Sequence, residues 1–288
     1  MGDVSRIVAF FVPSPYCQLS SWPHTLTNHH QLMIKETDDA LFSSRSHLFS
    51  SGNIEEKEPV SFLFDFGGTL DTAGCHWGKM LWHAYERKCV PITELQFREA
   101  YVYAERTLDR QNIIQPDFTF RQMLAEKLRI ETGFLIDKGW LHDDKRMEVK
   151  LRDALVKDLY NSVKANITTA RKVLERLKKK HRIGLVTNFY GNMSIVLDEF
   201  GLSSLFETVT ESAVVGVRKP DPQIFRLAVA ALRERPENVV VVGDSYAKDI
   251  LPAHETGCKT VWLKGEGWTE DDTAICVADR IIKGLDEL

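Results

Sequence analysis

The feature that most limits the possible folds of this chain is the stretch Val60-Ser61-Phe62-Leu63-Phe64-Asp65-Phe66-Gly67-Gly68-Thr69-Leu70. An apolar run of strand length ends abruptly in a carboxylate, and two glycines and a threonine follow. Such a run is typical of a buried strand, where a charged group is tolerated only at the end. Glycines let backbone N–H groups approach an anion without interference from a Cβ atom. The stretch predicts a reactive carboxylate, Asp65, beside a small anion cradle; the simpler alternative is that Asp65 only caps the next helix.

Composition and charge narrow the class of protein. A hydrophobic content of 43% and a charged content of 27% are ordinary for a globular protein of 288 residues. The net charge of −4 gives no indication of a nucleic-acid partner. The apolar run at residues 7–12 is far too short to cross a bilayer, so no membrane partner is expected. The cysteines are odd in number and lack metal-ligand spacing, which favours a reduced, cytoplasmic protein: Cys17, Cys75, Cys89, Cys258 and Cys276.

Residues 1–58 differ in composition from the rest of the chain. Three prolines, a Ser-rich stretch at residues 43–51 and a charged run before Pro59 indicate an extension and linker more than a folded domain. A metal site built on the early histidines lacks a third ligand of suitable spacing. We therefore assign no function to this segment, whose histidines are His24, His29 and His30.

Between the first strand and about residue 166 the pattern is helical. Apolar residues recur at i, i+4 and i+8, as in Phe120, Leu124 and Leu128. We expect a helical domain over residues 73–166, inserted into a second domain formed by residues 59–72 and 167–288. Thr168 and Thr169 are expected to cap the first helix after this insertion.

From residue 168 onwards strands alternate with helices. Short apolar runs at residues 183–186, 206–210, 239–242 and 260–263 predict strands, and the segments between them predict helices. This alternation is typical of an α/β fold with a doubly wound parallel sheet.

Three predicted strands end in polar side chains, namely Asp65, Thr187 and Asp244. Ligands of open parallel sheets bind outside the carboxyl ends of the strands, so these residues are expected to share one crevice. Lys219, in a loop after another strand, can reach the same place. Asp249, one helical turn after Asp244, is expected to be a further metal ligand or to orient Lys219. Such groups suit an oxyanion held together with a divalent hard cation.

The chain resembles the haloacid dehalogenase-like (HAD) hydrolase superfamily over about residues 60–288. The resemblance rests on four motifs in the right order: Asp65-Phe66-Gly67-Gly68-Thr69-Leu70, Thr187-Asn188, Arg218-Lys219-Pro220-Asp221-Pro222, and Gly243-Asp244-Ser245 with Asp249. It implies a Rossmann-like core, with the helical insertion as a cap domain of that family's first type. It also implies phosphoryl transfer through an aspartyl-phosphate, with Mg²⁺ as cofactor and a small phosphorylated metabolite as substrate.

Carried over position by position, the resemblance implies a role for each motif residue. Asp65 would be the nucleophile, Thr187 and Lys219 would bind the phosphoryl group, and Gly68 and Asn188 would bind substrate. Metal ligands would be Asp65, Asp244, Asp249 and the backbone carbonyl of Gly67. A carboxylate attacks phosphorus well only when a metal and cations neutralise the charge that builds on the oxygens.

One position departs from the family pattern. Phosphatases of this family normally carry a second aspartate two residues after the nucleophile as general acid and base, and here that position is Gly67. Loss of such a residue typically costs ~10²–10⁴ in rate. Substrates whose leaving groups have a low pKa should therefore suffer least. Asp71 is near in sequence, and its reach toward a leaving group is a question for the structure.

Three other activities fit parts of this pattern. Phosphonoacetaldehyde hydrolases use a cap lysine, but the second predicted helix of the insertion, Thr93 to Gln111, has no lysine. L-2-haloacid dehalogenases lack the second aspartate too, but they need no metal and lack the metal-binding carboxylate that Asp244 supplies here. A catalytically weak phosphate- and metal-binding protein would keep the same motifs. We expect a metal-dependent phosphatase, as a monomer or a homodimer.

Overall fold

The fold is built on one parallel sheet. The computed structural model describes residues 61–268 and 276–288. The predicted N-terminal extension, residues 1–58, lies outside the described residues. Six strands, all parallel, stand in the order β3-β2-β1-β4-β5-β6. Their bounds are β1 Ser61–Phe64, β2 Arg182–Thr187, β3 Thr208–Glu211, β4 Val239–Gly243, β5 Lys259–Leu263 and β6 Arg280–Ile282.

The stretch that ends in Asp65 forms a central strand. Ser61 pairs with Arg182 of β2 on one side and with Val239 of β4 on the other. Phe62, Leu63 and Phe64 are all buried because helices cover both faces of the sheet. The predicted α/β class with a doubly wound parallel sheet is confirmed.

Helices account for most of the remaining described chain. Four of them lie between β1 and β2, and the last of these runs past residue 166, where the sequence placed the end of the helical insertion. Their bounds are α1 Trp77–Arg87, α2 Glu94–Arg110, α3 Phe120–Asp137 and α4 Lys145–Lys178; then follow α5 Met193–Glu199, α6 Ser212–Val215, α7 Gln223–Ala231 and α8 Leu251–Glu255, with a π-helical turn at Tyr246–Ile250.

The two faces of the sheet bury different helices. Phe62 and Phe64 join a core cluster with residues of α1 to α5, whereas Leu63 points to the opposite face and packs with residues of α7 and α8. This alternation follows from the period of two in a strand. The helical insertion and the site-bearing strand therefore share one continuous core.

Local capping signals set the starts of the insertion helices. Thr93 begins α2 and Thr119 begins α3, each in a capping box with the glutamine three residues later. The expectation that Thr168 and Thr169 cap a new helix is wrong, because α4 runs through both residues without a break. Their hydroxyls instead bond back to the carbonyls of Lys164 and Ala165. None of the described helices has the length and apolarity needed to cross a bilayer.

Candidate active site

Five residues meet where the strands of the sheet end, and we call them the strand-end site: Asp65, Thr187, Lys219, Asp244 and Asp249. Asp65 directly follows β1, Thr187 is the last residue of β2, and Asp244 directly follows β4. Lys219 comes from the loop before α7 and Asp249 from the π-helical turn. Residues up to 184 positions apart in sequence are thus brought together by the parallel topology, as the sequence predicted.

Lys219 is the buried cation of the site. Its Nζ atom lies 2.6 Å from Asp65 Oδ1 and 2.6 Å from Asp249 Oδ1, and its side chain is 3% exposed. Burial would lower the pKa of Lys219, but the facing carboxylates of Asp249 and Asp65 outweigh that effect and raise it. The lysine therefore stays charged.

The three carboxylates form one cluster. Oxygen atoms of Asp65, Asp244 and Asp249 lie within 4.8 Å of one another. The Thr69 hydroxyl donates to Asp244 Oδ1 at 3.1 Å and lies 3.4 Å from Asp65 Oδ2, and it accepts the backbone N–H of Asp244 at 3.0 Å. Three carboxylates against one ammonium leave negative charge uncompensated. Oxygen donors at this spacing fit a hard divalent cation such as Mg²⁺.

Burial and mutual repulsion perturb two of these carboxylates. Burial raises the pKa of Asp65 to about 6, although Lys219 opposes the rise. Burial, with the neighbouring charges of Asp249 and Asp65, raises the pKa of Asp244 well above its usual range. Carboxylates with shifted pKa values at the carboxyl ends of parallel strands are typical of functional sites.

Two positions in the site require glycine. Gly68 has φ +100°, and a Cβ atom there would lie 2.3 Å from the carboxylate oxygens of Asp244. A Cβ atom at Gly243 would lie 2.4 Å from Cβ of Asp249. The glycines thus let the turn after β1 and the end of β4 approach the acidic cluster closely.

The predicted phosphate-binding residues differ in what they contact. The Thr187 hydroxyl is buried and has no hydrogen-bond partner within the described residues, and it lies at the end of β2, the strand paired with β1. Asn188 uses both ends of its amide on the backbone of Lys219: Nδ2 donates to the carbonyl at 3.0 Å, and Oδ1 accepts the N–H at 2.9 Å. The amide therefore holds the lysine loop in place.

The turn after Asp65 contains a further buried carboxylate. Asp71 is fully buried; its Oδ1 accepts the Gly68 N–H at 2.7 Å and its Oδ2 accepts the Trp77 indole N–H at 2.8 Å. Gly67, predicted to give a backbone carbonyl to the metal, lies in the same turn. The Gly68 N–H, predicted to contact substrate, is engaged by Asp71.

Sequence reasoning gave no role to three residues that shape the site. Thr69 links Asp65 to Asp244, Trp262 donates its indole N–H to the backbone carbonyl of Asp244 at 2.8 Å, and Trp77 covers Asp71. Thr69 stood inside the first motif and could have been found there. The two tryptophans carry no motif signal, because their roles depend on how the segments around them fold back onto Asp71 and Asp244.

Comparison with known proteins places this chain in a family. The profile of the haloacid dehalogenase-like hydrolases matches residues 61–257, more than half of the chain. The chain belongs to the haloacid dehalogenase-like hydrolase family. The resemblance carried by the four motifs is therefore confirmed at the level of the family.

Individual members of the HAD-like family match parts of the chain. A glyceraldehyde 3-phosphate phosphatase of Pyrococcus furiosus is 38% identical over 129 residues, which make up 41% of this chain and 51% of that protein. A phosphoserine phosphatase of Thermus thermophilus is 41% identical over 63 residues, 22% of this chain and 25% of that protein. The match thus spans about half or less of the length of these curated relatives.

Solved structures of HAD-like proteins extend the likeness over most of the described fold. A dehalogenase crystallised with an intermediate complex covers 80% of this chain and 96% of its own, with a TM-score of 0.54 and 17% identity. At that identity the likeness shows the fold, which includes the helices between β1 and β2.

Proposed function

We propose that this chain is a Mg²⁺-dependent phosphatase that acts on small phosphorylated metabolites through an aspartyl-phosphate. One observation carries the proposal. The Asp65 carboxylate sits at the end of the central strand with the Lys219 ammonium at 2.6 Å, inside a cluster of three carboxylates. A nucleophilic carboxylate, a fixed cation and a hard-metal donor set are the parts that phosphoryl transfer needs.

Each residue of the strand-end site has a part in this proposal. Asp65 attacks phosphorus, and Lys219 and the Thr187 hydroxyl hold the oxygens of the transferring group. Asp65, Asp244, Asp249 and the Gly67 carbonyl would hold Mg²⁺, which when bound neutralises charge on the phosphoryl oxygens. Asn188 fixes the Lys219 backbone, and glycine at position 68 lets the turn after β1 approach Asp244 closely.

Water exclusion falls to the helical insertion. Tyr190, two residues after Asn188, contacts Glu105 of α2, and Arg218 forms an ion pair with Asp109 of the same helix. These contacts connect α2 with loops on the carboxyl side of the strands, so the insertion can cover a bound substrate.

The substrate class rests on the relatives. Glyceraldehyde 3-phosphate and phosphoserine, the compounds in the names of the two relatives above, are the esters to assay first. A cytoplasmic location belongs to the same proposal. It is supported by four described cysteines that form no disulfide: Cys75, Cys89, Cys258 and Cys276.

The decisive test is phosphate release from p-nitrophenyl phosphate, with and without Mg²⁺, by the wild type and by Asp65→Asn. We expect turnover that requires the metal and that the substitution abolishes, because an amide oxygen is a poor nucleophile toward phosphorus. Asp153→Asn, an exposed carboxylate on the outer side of α4, is the matched control and should leave turnover unchanged.

Two other outcomes of this assay have distinct meanings. Gly67 favours a second candidate, a weak enzyme that binds phosphate and metal without useful turnover. Binding of inorganic phosphate by calorimetry with no product release would support that candidate. Chloride release from a 2-haloacid without added metal would instead indicate a dehalogenase.

A further inference from the structure

Gly67 and Asp71 lie on one side of the same tight turn. The carbonyl of Phe66 accepts the N–H of Leu70 at 2.9 Å and that of Asp71 at 3.3 Å, so the chain turns tightly after Phe66. Within this turn the Gly68 N–H donates to Asp71 Oδ1 at 2.7 Å, so the Asp71 carboxyl folds back onto the peptide that joins Gly67 to Gly68.

The indole of Trp77 lies close to both position 67 and Asp71. A Cβ atom built on Gly67 would lie 3.8 Å from the Trp77 indole nitrogen, which itself donates to Asp71 Oδ2 at 2.8 Å. One indole N–H is thus within contact distance of both positions. Position 67 has no carboxyl, but the carboxyl of Asp71, four residues later, reaches the same side of the turn.

The surroundings of Asp71 are unusual for an aspartate with a purely structural role. Its carboxyl is fully buried, and neither of its hydrogen-bond donors, the Gly68 N–H and the Trp77 indole, carries a charge. Asp65 faces it across the turn, and Lys127 of α3 lies beyond Trp77, with its Nζ atom 5.7 Å from the centre of the indole. With no cation at hydrogen-bond distance, burial disfavours the charged form of this carboxyl.

We propose that Asp71 is the proton donor and acceptor of this phosphatase, in the role that Gly67 cannot fill. This inference rests on the proposed function. Asp71 gives its proton to the leaving oxygen as the P–O bond breaks and the bond between phosphorus and Asp65 forms. The resulting carboxylate then takes a proton from the water that attacks the aspartyl-phosphate, which releases phosphate and regenerates Asp65.

Two properties of Asp71 support the assignment. Burial raises the pKa of Asp71 to about 7, so near neutral pH both the acid and the base form are populated. Trp77 is half-buried and is the side chain between Asp71 and the open side of Gly67, so its displacement by substrate would free Oδ2. The expected preference for leaving groups of low pKa is then weak in the wild type and appears when Asp71 is replaced.

The test compares two esters in wild type, Asp71→Asn and Trp77→Phe. The leaving group of p-nitrophenyl phosphate needs little protonation. The leaving group of phosphoserine is the serine side-chain oxygen, which would leave as an alkoxide unless an acid protonates it. We expect Asp71→Asn to lower kcat for phosphoserine by ~10²–10³ and that for p-nitrophenyl phosphate by less than about tenfold. Trp77→Phe removes the indole donor but keeps the carboxyl, so any loss should be similar for both esters.

A rescue variant keeps the proposal falsifiable if Asp71→Asn also perturbs the turn. Gly67 has no left-handed backbone, and its Cβ position has only ordinary contacts, so Gly67→Asp can be added to Asp71→Asn. Recovery of phosphoserine turnover in the double variant would support proton transfer from this side of the turn. Equal losses for both esters without recovery, or no loss for either, would overturn the proposal. Absence of wild-type turnover of p-nitrophenyl phosphate would instead refute the phosphatase itself, and Asp71 with it.

Discussion

At the scale of single residues, this protein places several carboxylates where water cannot reach them. Asp65 and Asp71 belong to the turn after β1, while Glu131 lies inside the helical insertion and is fully buried. The Tyr85 hydroxyl donates to Glu131 Oε2 at 3.1 Å. Glu131 is therefore a buried acid outside the strand-end site, where its effect on folding can be measured separately from catalysis.

Replacing Glu131 should change how stability depends on pH. Burial raises the pKa of Glu131 from 4.5 to about 8, so the folded chain holds a proton that the unfolded chain releases between these values. The contribution of this group to stability is present at low pH and is lost as pH rises through about 8. Glu131→Gln mimics the protonated acid, so its stability relative to the wild type should increase from about pH 5 to about pH 9, by on the order of a few kcal/mol.

Urea unfolding of both proteins at the two pH values measures this difference. Glu126→Gln, on the same helix and 32% exposed beside Arg129, is the matched control, because a partly exposed ion pair of this kind contributes little to stability. A difference between Glu131→Gln and wild type that is the same at both pH values would contradict a buried, proton-holding Glu131.

At the scale of elements, α4 is the clearest departure from what the sequence suggested. Thr168-Thr169 before a run of apolar residues looked like a helix start, but both residues are exposed in the middle of a helix of 34 residues. Packing explains the continuity, since Val163, Ile167 and Ala170 are buried on one stripe through the same region. Tertiary burial overrode the local capping signal.

Because α4 is continuous, the direction of the stability change in the double variant Thr168→Ala/Thr169→Ala can be predicted. Loss of a true N-cap costs about 1 kcal/mol, whereas a Thr→Ala change inside an exposed helix gains up to ~0.7 kcal/mol per site. We therefore expect the double variant to be at least as stable as the wild type in denaturant unfolding. Thr119→Ala, which removes the observed cap of α3, is the control and should lose about 1 kcal/mol. A loss of similar size in the double variant would mean that a helix begins at this point.

At the scale of the whole molecule, we expect the acidic cluster to couple metal binding to folding. Three carboxylates within 4.8 Å of one another repel unless a cation lies between them. Mg²⁺ at about 100 times its Kd should stabilise the folded state by about 2.7 kcal/mol, which raises Tm by roughly 5–10 °C for a domain of this size.

Thermal melting with and without Mg²⁺, against sodium chloride of equal ionic strength, measures that gain. Asp244→Asn should have a higher Tm than the wild type without metal, because an amide avoids the cost of ionising a buried carboxyl beside Asp249 and Asp65, and it should lose most of the gain with Mg²⁺. An equal Mg²⁺ shift in both proteins would place the metal elsewhere.

Prediction from sequence succeeded where position along a strand decides the outcome. Asp65, Thr187 and Asp244 could be placed together because parallel strands end at one edge of a sheet. The contacts of Asn188 with Lys219 could not be foreseen, since they depend on how two loops 31 residues apart approach each other. The burial of Asp71 was equally hidden, because it depends on Trp77 folding back over the turn.

The continuous α4 also fixes the orientation of the helical insertion relative to the sheet. α4 contacts both α3 and β2, and Leu159 and Leu174 are both buried along it. Each residue inserted into a helix rotates everything beyond it by about 100°. A single insertion between these leucines would turn the insertion's apolar stripe away from α3 while the sheet stayed in place. The rotation along this helix therefore sets how the insertion is oriented relative to the strand-end site. Changes of chain length are better tolerated in the loops at residues 111–119 and 138–144.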